Sequence, residues 1–209
     1  MSQEHEYALL GGVNRAKVGR YLSLLSATVS AVIVFLLLTA VDLAKHFGVP
    51  ATLPPSVLSL VGAGTIFAIL YWIFDLYAWR WPYLSSLLKV PDLSGKWRCI
   101  GLTLNTDGST QHNWEGTVTI LQSWDKLRVH LKTQHSGSNS ITAALLYDEA
   151  DGYVLLYHYR NDPNIGETEL RSHRGFAELL FEKDCQSAQG EYFNGHGRFT
   201  FGTMRLTRI

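Results

Sequence analysis

Two uncharged apolar stretches constrain this chain more than any other feature. No Asp, Glu, Lys, Arg or His occurs from Tyr21 to Val41 or from Phe47 to Phe74. Each stretch supplies the roughly 20 apolar residues with which a helix crosses a bilayer. Membrane helices are therefore expected at 21–41 and 55–77, with a short loop at 42–54, an N-terminal segment at 1–20 and a juxtamembrane linker at 78–93. The first run exceeds the roughly 7 to 15 apolar residues of a signal-peptide core, and no small-residue cleavage site follows it. Arg15, Lys17 and Arg20 precede the first helix and Arg80 and Lys89 follow the second, whereas the loop holds only Asp42, Lys45 and His46. That asymmetry places both ends in the cytoplasm and the loop in the periplasm. Trp72, Tyr77, Trp79, Trp81 and Tyr83 are positioned as an interfacial aromatic belt.

From residue 94 onward the hydrophobic period becomes two. Roughly eight short strands are read over Gly95–Thr103, Trp114–Ser123, Leu127–His135, Asn139–Tyr147, Tyr153–Asn161, His173–Glu182, Ala188–Asn194 and Arg198–Thr207. Turn material such as "TDGS", "HSGSN" and "EADG" separates several of them, which signals a meander. Closing it into a small up-and-down β-barrel over 94–209, lipocalin- or streptavidin-like, removes exposed edges. Lys96, Arg98, Glu115, Arg128, His130, Lys132, Glu178 and Glu182 fall opposite the aliphatic rows of Val118, Ile120, Val129, Leu131, Leu179 and Phe181. Charges outside and aliphatics inside describe a barrel standing in water, the reverse of an outer-membrane one.

The aliphatic rows define the inward face, and the polar residues sharing it gather at one end. Thr133 and His135 close the third strand while Ser138 and Ser140 open the fourth; Tyr157, Tyr159 and Asn161 close the fifth and His173 opens the sixth. Tyr192 and Asn194 close the seventh, and Arg198 and Thr200 open the eighth. A meander reverses at each turn, so all of these reach the same mouth. Tyrosine faces stack on nucleobases, amides and hydroxyls read base or ribose edges, and Arg198 pairs with phosphate. The insert Asp162–Ser172 overhangs this mouth as a candidate lid. Trp97, Gln122, Trp124, Leu127 and Phe181 plug the opposite end, where Arg205 or Arg208 lies across Trp97. The linker enters at that end, so the polar mouth is expected to face away from the bilayer.

Several function classes are disfavoured. The formal net charge is zero, against the basic excess of DNA- or RNA-binding proteins. The eight histidines are scattered without metal-ligand spacing, and no phosphate-binding loop, dinucleotide fingerprint or nucleophile elbow occurs. Neither catalytic residues, a metal nor a cofactor is expected. Cys99 and Cys185 lack metal-site spacing and suit a reducing compartment.

Two apolar helices followed directly by "PDLSGKW", then "GTVTILQSWDKLRVHLKTQHSGS", "YHYRNDP", "HRGFAEL" and "GEYFNGHGRFTFGTMRLTR", resemble the two-transmembrane, β-strand-rich effectors of bacterial cyclic-oligonucleotide-based anti-phage signalling systems (CBASS). The resemblance spans essentially the whole chain. It implies a cytoplasmic barrel that binds a cyclic dinucleotide or cyclic oligonucleotide made by a partner nucleotidyltransferase. It further implies ligand-driven homo-oligomerisation and disruption of the inner membrane, ending in abortive infection. Within the helices, Ser23, Ser26, Ser30, Gly62, Gly64 and Ala68 are small enough for close packing on assembly. The individual contacts come from the strand arithmetic: Tyr159, Asn161, His173, Tyr192, Arg198, Thr200, Thr133, Ser138, Ser140 and Tyr157. The residues alone also leave open a membrane-tethered, lipocalin-like binder of an apolar metabolite or lipid, and a scaffold with a filled barrel.

Overall fold

The computed structural model describes residues 4–167, 171–195 and 198–209. It separates the chain into a helical unit, Val13–Trp79, and a second unit formed by Met1–Gly12 together with Arg80–Ile209.

The helical unit is a hairpin. Helix α1 runs from Arg15 to His46, capped by Asn14, whose side-chain oxygen accepts from the Ala16 N–H at 2.7 Å. The second span comprises α2, Pro55–Leu60, and α3, Ala63–Leu76. The interruption falls at Val61 and Gly62, where glycine lowers the cost of leaving helical geometry. It frees a carbonyl that hydrocarbon would not satisfy, and Ser30 Oγ donates to this Val61 oxygen at 2.6 Å. Both Ser26 and Ser30 are buried in the hairpin, so these two of the anticipated assembly residues serve packing within one chain. Large apolar side chains such as Leu24, Phe35 and Leu36 point outward, as a lipid-facing helix requires. Both spans are long and apolar enough to cross a membrane. Of the expected aromatic belt, Trp72, Tyr77, Trp81 and Tyr83 are exposed. Trp79 departs from the expectation: it is fully buried, its Nε1–H donating to the Asp75 carbonyl at 2.9 Å.

The second unit is a closed barrel. Its strands are β1 (His5–Leu10), β2 (Gly95–Leu104), β3 (Thr110–Gln122), β4 (Lys126–Thr133), β5 (Ser136–Asp148), β6 (Gly152–Pro163), β7 (His173–Phe181), β8 (Ser187–Asn194) and β9 (Phe201–Arg208). The ring order is β1-β4-β3-β2-β9-β8-β7-β6-β5. All eight expected strands are present, and among the described residues the barrel has a ninth, β1, within the expected N-terminal segment. Expected strand starts at Arg198 and Thr200 also shift: β9 begins at Phe201, leaving both in the preceding loop. The presumed linker contains a short 3₁₀ turn, Ala78–Arg80, and helix α4, Pro82–Leu88.

Strand β1 is a wedge. At one end β4 and β5 pair directly, from His130–Asn139 to Lys132–Gly137. Toward the other end they part, and β1 enters between them, antiparallel to β4 at His5–Leu127 and parallel to β5 from Tyr7–Ala143 to Leu10–Leu146. At the fork Ser140 Oγ accepts the Val129 N–H at 2.9 Å and lies 2.7 Å from His5 Nε2. One extra residue on β5, Ile141, shifts the register between Ser140 and Thr142. This bulge changes parity, so Ser138 and Ser140 on one side of it, and Leu145 beyond it, are all buried.

The end holding β1 is packed shut. Trp97 is fully buried, 5.4 Å from the Phe181 ring and edge-on to it, and its Nε1–H donates to the Leu93 carbonyl at 3.1 Å. Of the two candidate arginines, Arg208 takes the lid position, its guanidinium 5.2 Å from the Trp97 ring. It also donates to the Asp92 and Cys185 carbonyls at 3.3 Å, tying the loop before β2 to the β7–β8 turn. The Gln122 amide is buried but satisfied, accepting from the Leu93 N–H at 2.8 Å and donating to the Pro91 carbonyl at 3.2 Å. Tyr7 of β1 completes this plug, 2 % exposed, with its hydroxyl 3.3 Å from the Ser123 carbonyl. Tyr7→Ala should therefore destabilise the barrel by roughly 3–5 kcal/mol, the range for truncating a large buried ring. Chemical denaturation of the detergent-solubilised full-length chain checks this; an unchanged midpoint would mean that β1 contributes nothing to the barrel.

Candidate functional site: an open barrel mouth

The end opposite Trp97 is not filled. A cavity of about 400 Å³ opens there, within the usual range for small-molecule sites. Register explains how distant residues meet on its wall. Ser138, Asn161 and His173 are cross-strand partners over β5, β6 and β7. One step deeper, Tyr159 pairs with Gly175 and Gly175 with Asn194. A further step in, the row runs Tyr157, Ala177, Tyr192, Gly202 and Thr103, crossing from β6 to β2.

Nine of the ten expected contacts line the cavity: Thr133, Ser138, Tyr157, Tyr159, Asn161, His173, Tyr192, Arg198 and Thr200. Ser140 does not, because its hydroxyl is committed to Val129 and His5 at the fork. His135 and Asn194, also assigned to this mouth, line it as well. The sequence reading missed Thr103, His112, Asn113, Trp114, Glu115, Ser136 and Met204 on the same wall. Trp114 carried an available signal: it shares even parity with the inward residues Val118 and Ile120 on one strand. Of the proposed lid, Asp162 to Ser172, residues 168–170 lie outside the described residues. Its described part is anchored by Asn164, whose N–H donates to the His135 carbonyl at 2.8 Å, and by Glu167, 2.7 Å from His135 Nδ1.

Tyr159, Tyr192 and Trp114 are fixed at their polar tips. Tyr159 Oη donates to Asn194 Oδ1 at 2.8 Å, and Asn194 Nδ2 donates to Thr200 Oγ1 at 2.8 Å. Tyr192 Oη lies 2.8 Å from Thr103 Oγ1 and accepts from Trp114 Nε1 at 3.2 Å. Burial pushes the Tyr157 and Tyr159 hydroxyls well above the usual phenol range, and their mutual proximity adds to this for Tyr157, so both stay neutral donors. Burial pushes the thiol of Cys99 on the inner wall up to about 12, leaving it inert at neutral pH. Both cysteines are free.

Among the described residues the carboxylates at the mouth have partners of their own, Glu115 pairing with Arg98. Asp162 is engaged by Ser172 and Arg160, and Glu167 by His135. Among the described residues no carboxylate lies within ion-pair distance of Arg198. His173 is 6 % exposed and its proton affinity is lowered, first by burial and then by nearby Arg198, despite the Nδ1–H bond to the Arg171 carbonyl. Its ring is neutral at pH 7, with Nε2 as the acceptor nitrogen. A buried histidine that resists protonation binds fewer protons folded than unfolded. Stability should hold above the unfolded value near 6.5 and fall as pH drops below it. Urea midpoints measured from pH 7.5 to 5 should show this loss, and His173→Gln should flatten it; an equally steep loss in the variant would assign it to other groups.

Comparison with known proteins agrees with both units. Residues 88–208 match the family model described as Cap15, cyclic dinucleotide receptor domain, and residues 16–80 match Cap15, TM helices. CD-NTase-associated protein 15 of Yersinia aleksiciae is 48% identical over 207 residues, covering 99% of this chain and 98% of that protein. With matches to both the receptor domain and the helices, this chain belongs to the Cap15 family, the two-transmembrane, β-strand-rich CBASS effectors that its motifs resemble.

Proposed function

We propose that the open mouth of the barrel binds a cyclic dinucleotide supplied by a partner nucleotidyltransferase, and that binding drives homo-oligomerisation through which the helices disrupt the inner membrane. The observation that carries this reading is the cavity of about 400 Å³, which combines aromatic walls with Arg198 free of any carboxylate partner among the described residues. Tyr157, Tyr159, Tyr192 and Trp114 supply stacking surface, Ser138, Asn161, Thr133 and Thr200 supply hydrogen bonds, and Arg198 takes a phosphate. Ser140 supports the wall behind them. No catalytic step is needed: the ligand acts by favouring the assembled state, and only differential affinity for that state can shift the equilibrium. The barrel sits in the cytoplasm, the side indicated by the flanking arginines and lysines, and assembly ends in abortive infection.

The rival lipid or apolar-metabolite carrier fits less well. Its ligand would have to cover Asn161, Ser138, His173 and Arg198 without hydrogen-bonding to them, which is costly for buried polar groups. Calorimetry on the full-length chain in detergent, against cyclic di-AMP, cyclic di-GMP, cyclic GMP–AMP, cyclic di-UMP, a cyclic trinucleotide and a long-chain fatty acid, separates the readings. A cyclic dinucleotide is expected to bind, with Arg198→Ala and Tyr159→Ala each weakening binding at least tenfold. In dye-loaded liposomes the same ligand should trigger release through the wild-type chain and less through either variant. Stabilisation by the fatty acid alone would overturn the proposal, and undiminished binding by both variants would remove the pocket assignment.

A further inference from the structure

Three of the rings that line the cavity share a register feature. Trp114, Tyr159 and Tyr192 each have glycine as their direct cross-strand partner: Gly101, Gly175 and Gly202 respectively. Direct partners project to the same face of a sheet, so each glycine leaves an inward space beside a large ring. The rings occupy those spaces. A Cβ at Gly101 would lie 2.0 Å from Cε2, 2.1 Å from Cζ2 and 2.6 Å from Cδ2 of Trp114, so the indole face rests on the glycine backbone. At Gly175 it would lie 2.4 Å from Tyr159 Oη and 2.5 Å from Cζ, and at Gly202 it would lie 3.0 Å from Tyr192 Oη.

A small barrel of this strand number is either filled by its own side chains or left with room for one small ligand. Here the rings lean sideways along the wall, and their tips are held one strand farther on, as with Tyr159 on Asn194. Trp114 and Tyr192 lean toward each other and meet edge-on at 5.7 Å. The result is an aromatic arc from β6 to β3 that occupies little of the lumen. A methyl group under Trp114 would lift the indole off the wall and into the space the ligand needs.

We infer that Gly101 is a positioning residue for ligand binding: it holds Trp114 flat against the barrel wall, which sets the room available and presents pre-organised aromatic surface to the planar bases of the ligand. The inference rests on the cavity being the cyclic dinucleotide site. Rings already fixed in place lose little freedom when a base stacks on them, so the contact yields more net affinity than a mobile ring would. Gly101 is the diagnostic position, because the three nearest atoms to its added Cβ all belong to the Trp114 ring. At Gly202 the Cβ would meet the Leu102 carbonyl oxygen at 1.9 Å, and at Gly175 the Phe193 carbonyl oxygen at 2.6 Å, so glycine is required at both whatever the rings do.

The test is a double-mutant cycle on the full-length chain in detergent, using whichever of the four named cyclic dinucleotides the wild type binds most tightly. Gly101→Ala should keep its circular dichroism spectrum and weaken binding at least tenfold. Adding Gly101→Ala to Trp114→Leu should change binding less than twofold, since the ring that the methyl displaces is gone. Wild-type affinity in Gly101→Ala would overturn the positioning role while leaving the binding site in place. Absence of binding by the folded wild type would instead remove the binding-site reading, and this inference with it. If Gly101→Ala alone does not fold, the comparison of Gly101→Ala/Trp114→Leu with Trp114→Leu decides, and a further tenfold loss in the pair overturns the inference.

Discussion

A closed ring of strands sends every second side chain inward, and the interior of so narrow a ring is either filled by those side chains or left with room for one small ligand. The two ends of this barrel meet that constraint differently. Around Trp97 the space is filled by Phe181, Trp124 and Tyr7, and buried polar atoms there have protein partners, as Gln122 does with Leu93 and Pro91. Around Trp114 and Tyr159 glycines take alternate places, the rings fold onto them, and a cavity remains. One end supplies cohesion and the other vacancy. A cavity costs stability, because wall atoms lose packing partners, so an open mouth requires a dense floor.

Local alternation made much of this legible in the sequence. Strand existence, the outward charges, the Trp97 plug and the strand-borne residues of the cavity wall follow from period two plus the reversal of a meander, whereas Arg198 and Thr200 reach the wall from a loop. The exceptions have physical causes. The strand at His5–Leu10 pairs with partners more than a hundred residues away, and six residues before an apolar helix carry too weak a pattern to announce a strand. Ser140 has the right parity, but its hydroxyl is claimed by that unexpected strand. Trp114 could be assigned a face from parity alone, yet its tilt depends on which residue stands opposite, and register is not a local property.

The site joins groups of opposite demand. Tyr159 is neutral, buried and fixed by its hydrogen bond to Asn194, whereas Arg198 brings a cationic side chain from a loop rather than a strand. Rigid walls favour planar rings, and a loop-borne cation can approach whatever anionic atoms those rings leave at the rim. This division suits a molecule with flat bases and a charged backbone better than it suits an acyl chain.

The position of β1 changes what counts as a domain in this protein. The family match for the receptor region begins at residue 88, yet one strand of the barrel lies at His5–Leu10, before the apolar helices. Seen from the barrel, residues 13–79 are an insertion between its first and second strands, and the membrane hairpin is one very long loop of a discontinuous domain. Cutting the chain after the hairpin therefore does not release a complete barrel; it removes a stave and leaves the Ala143–Leu146 segment of β5 without its parallel partner. Both ends of the hairpin therefore lead back along the chain to strands of one barrel, β1 before it and β2 after it.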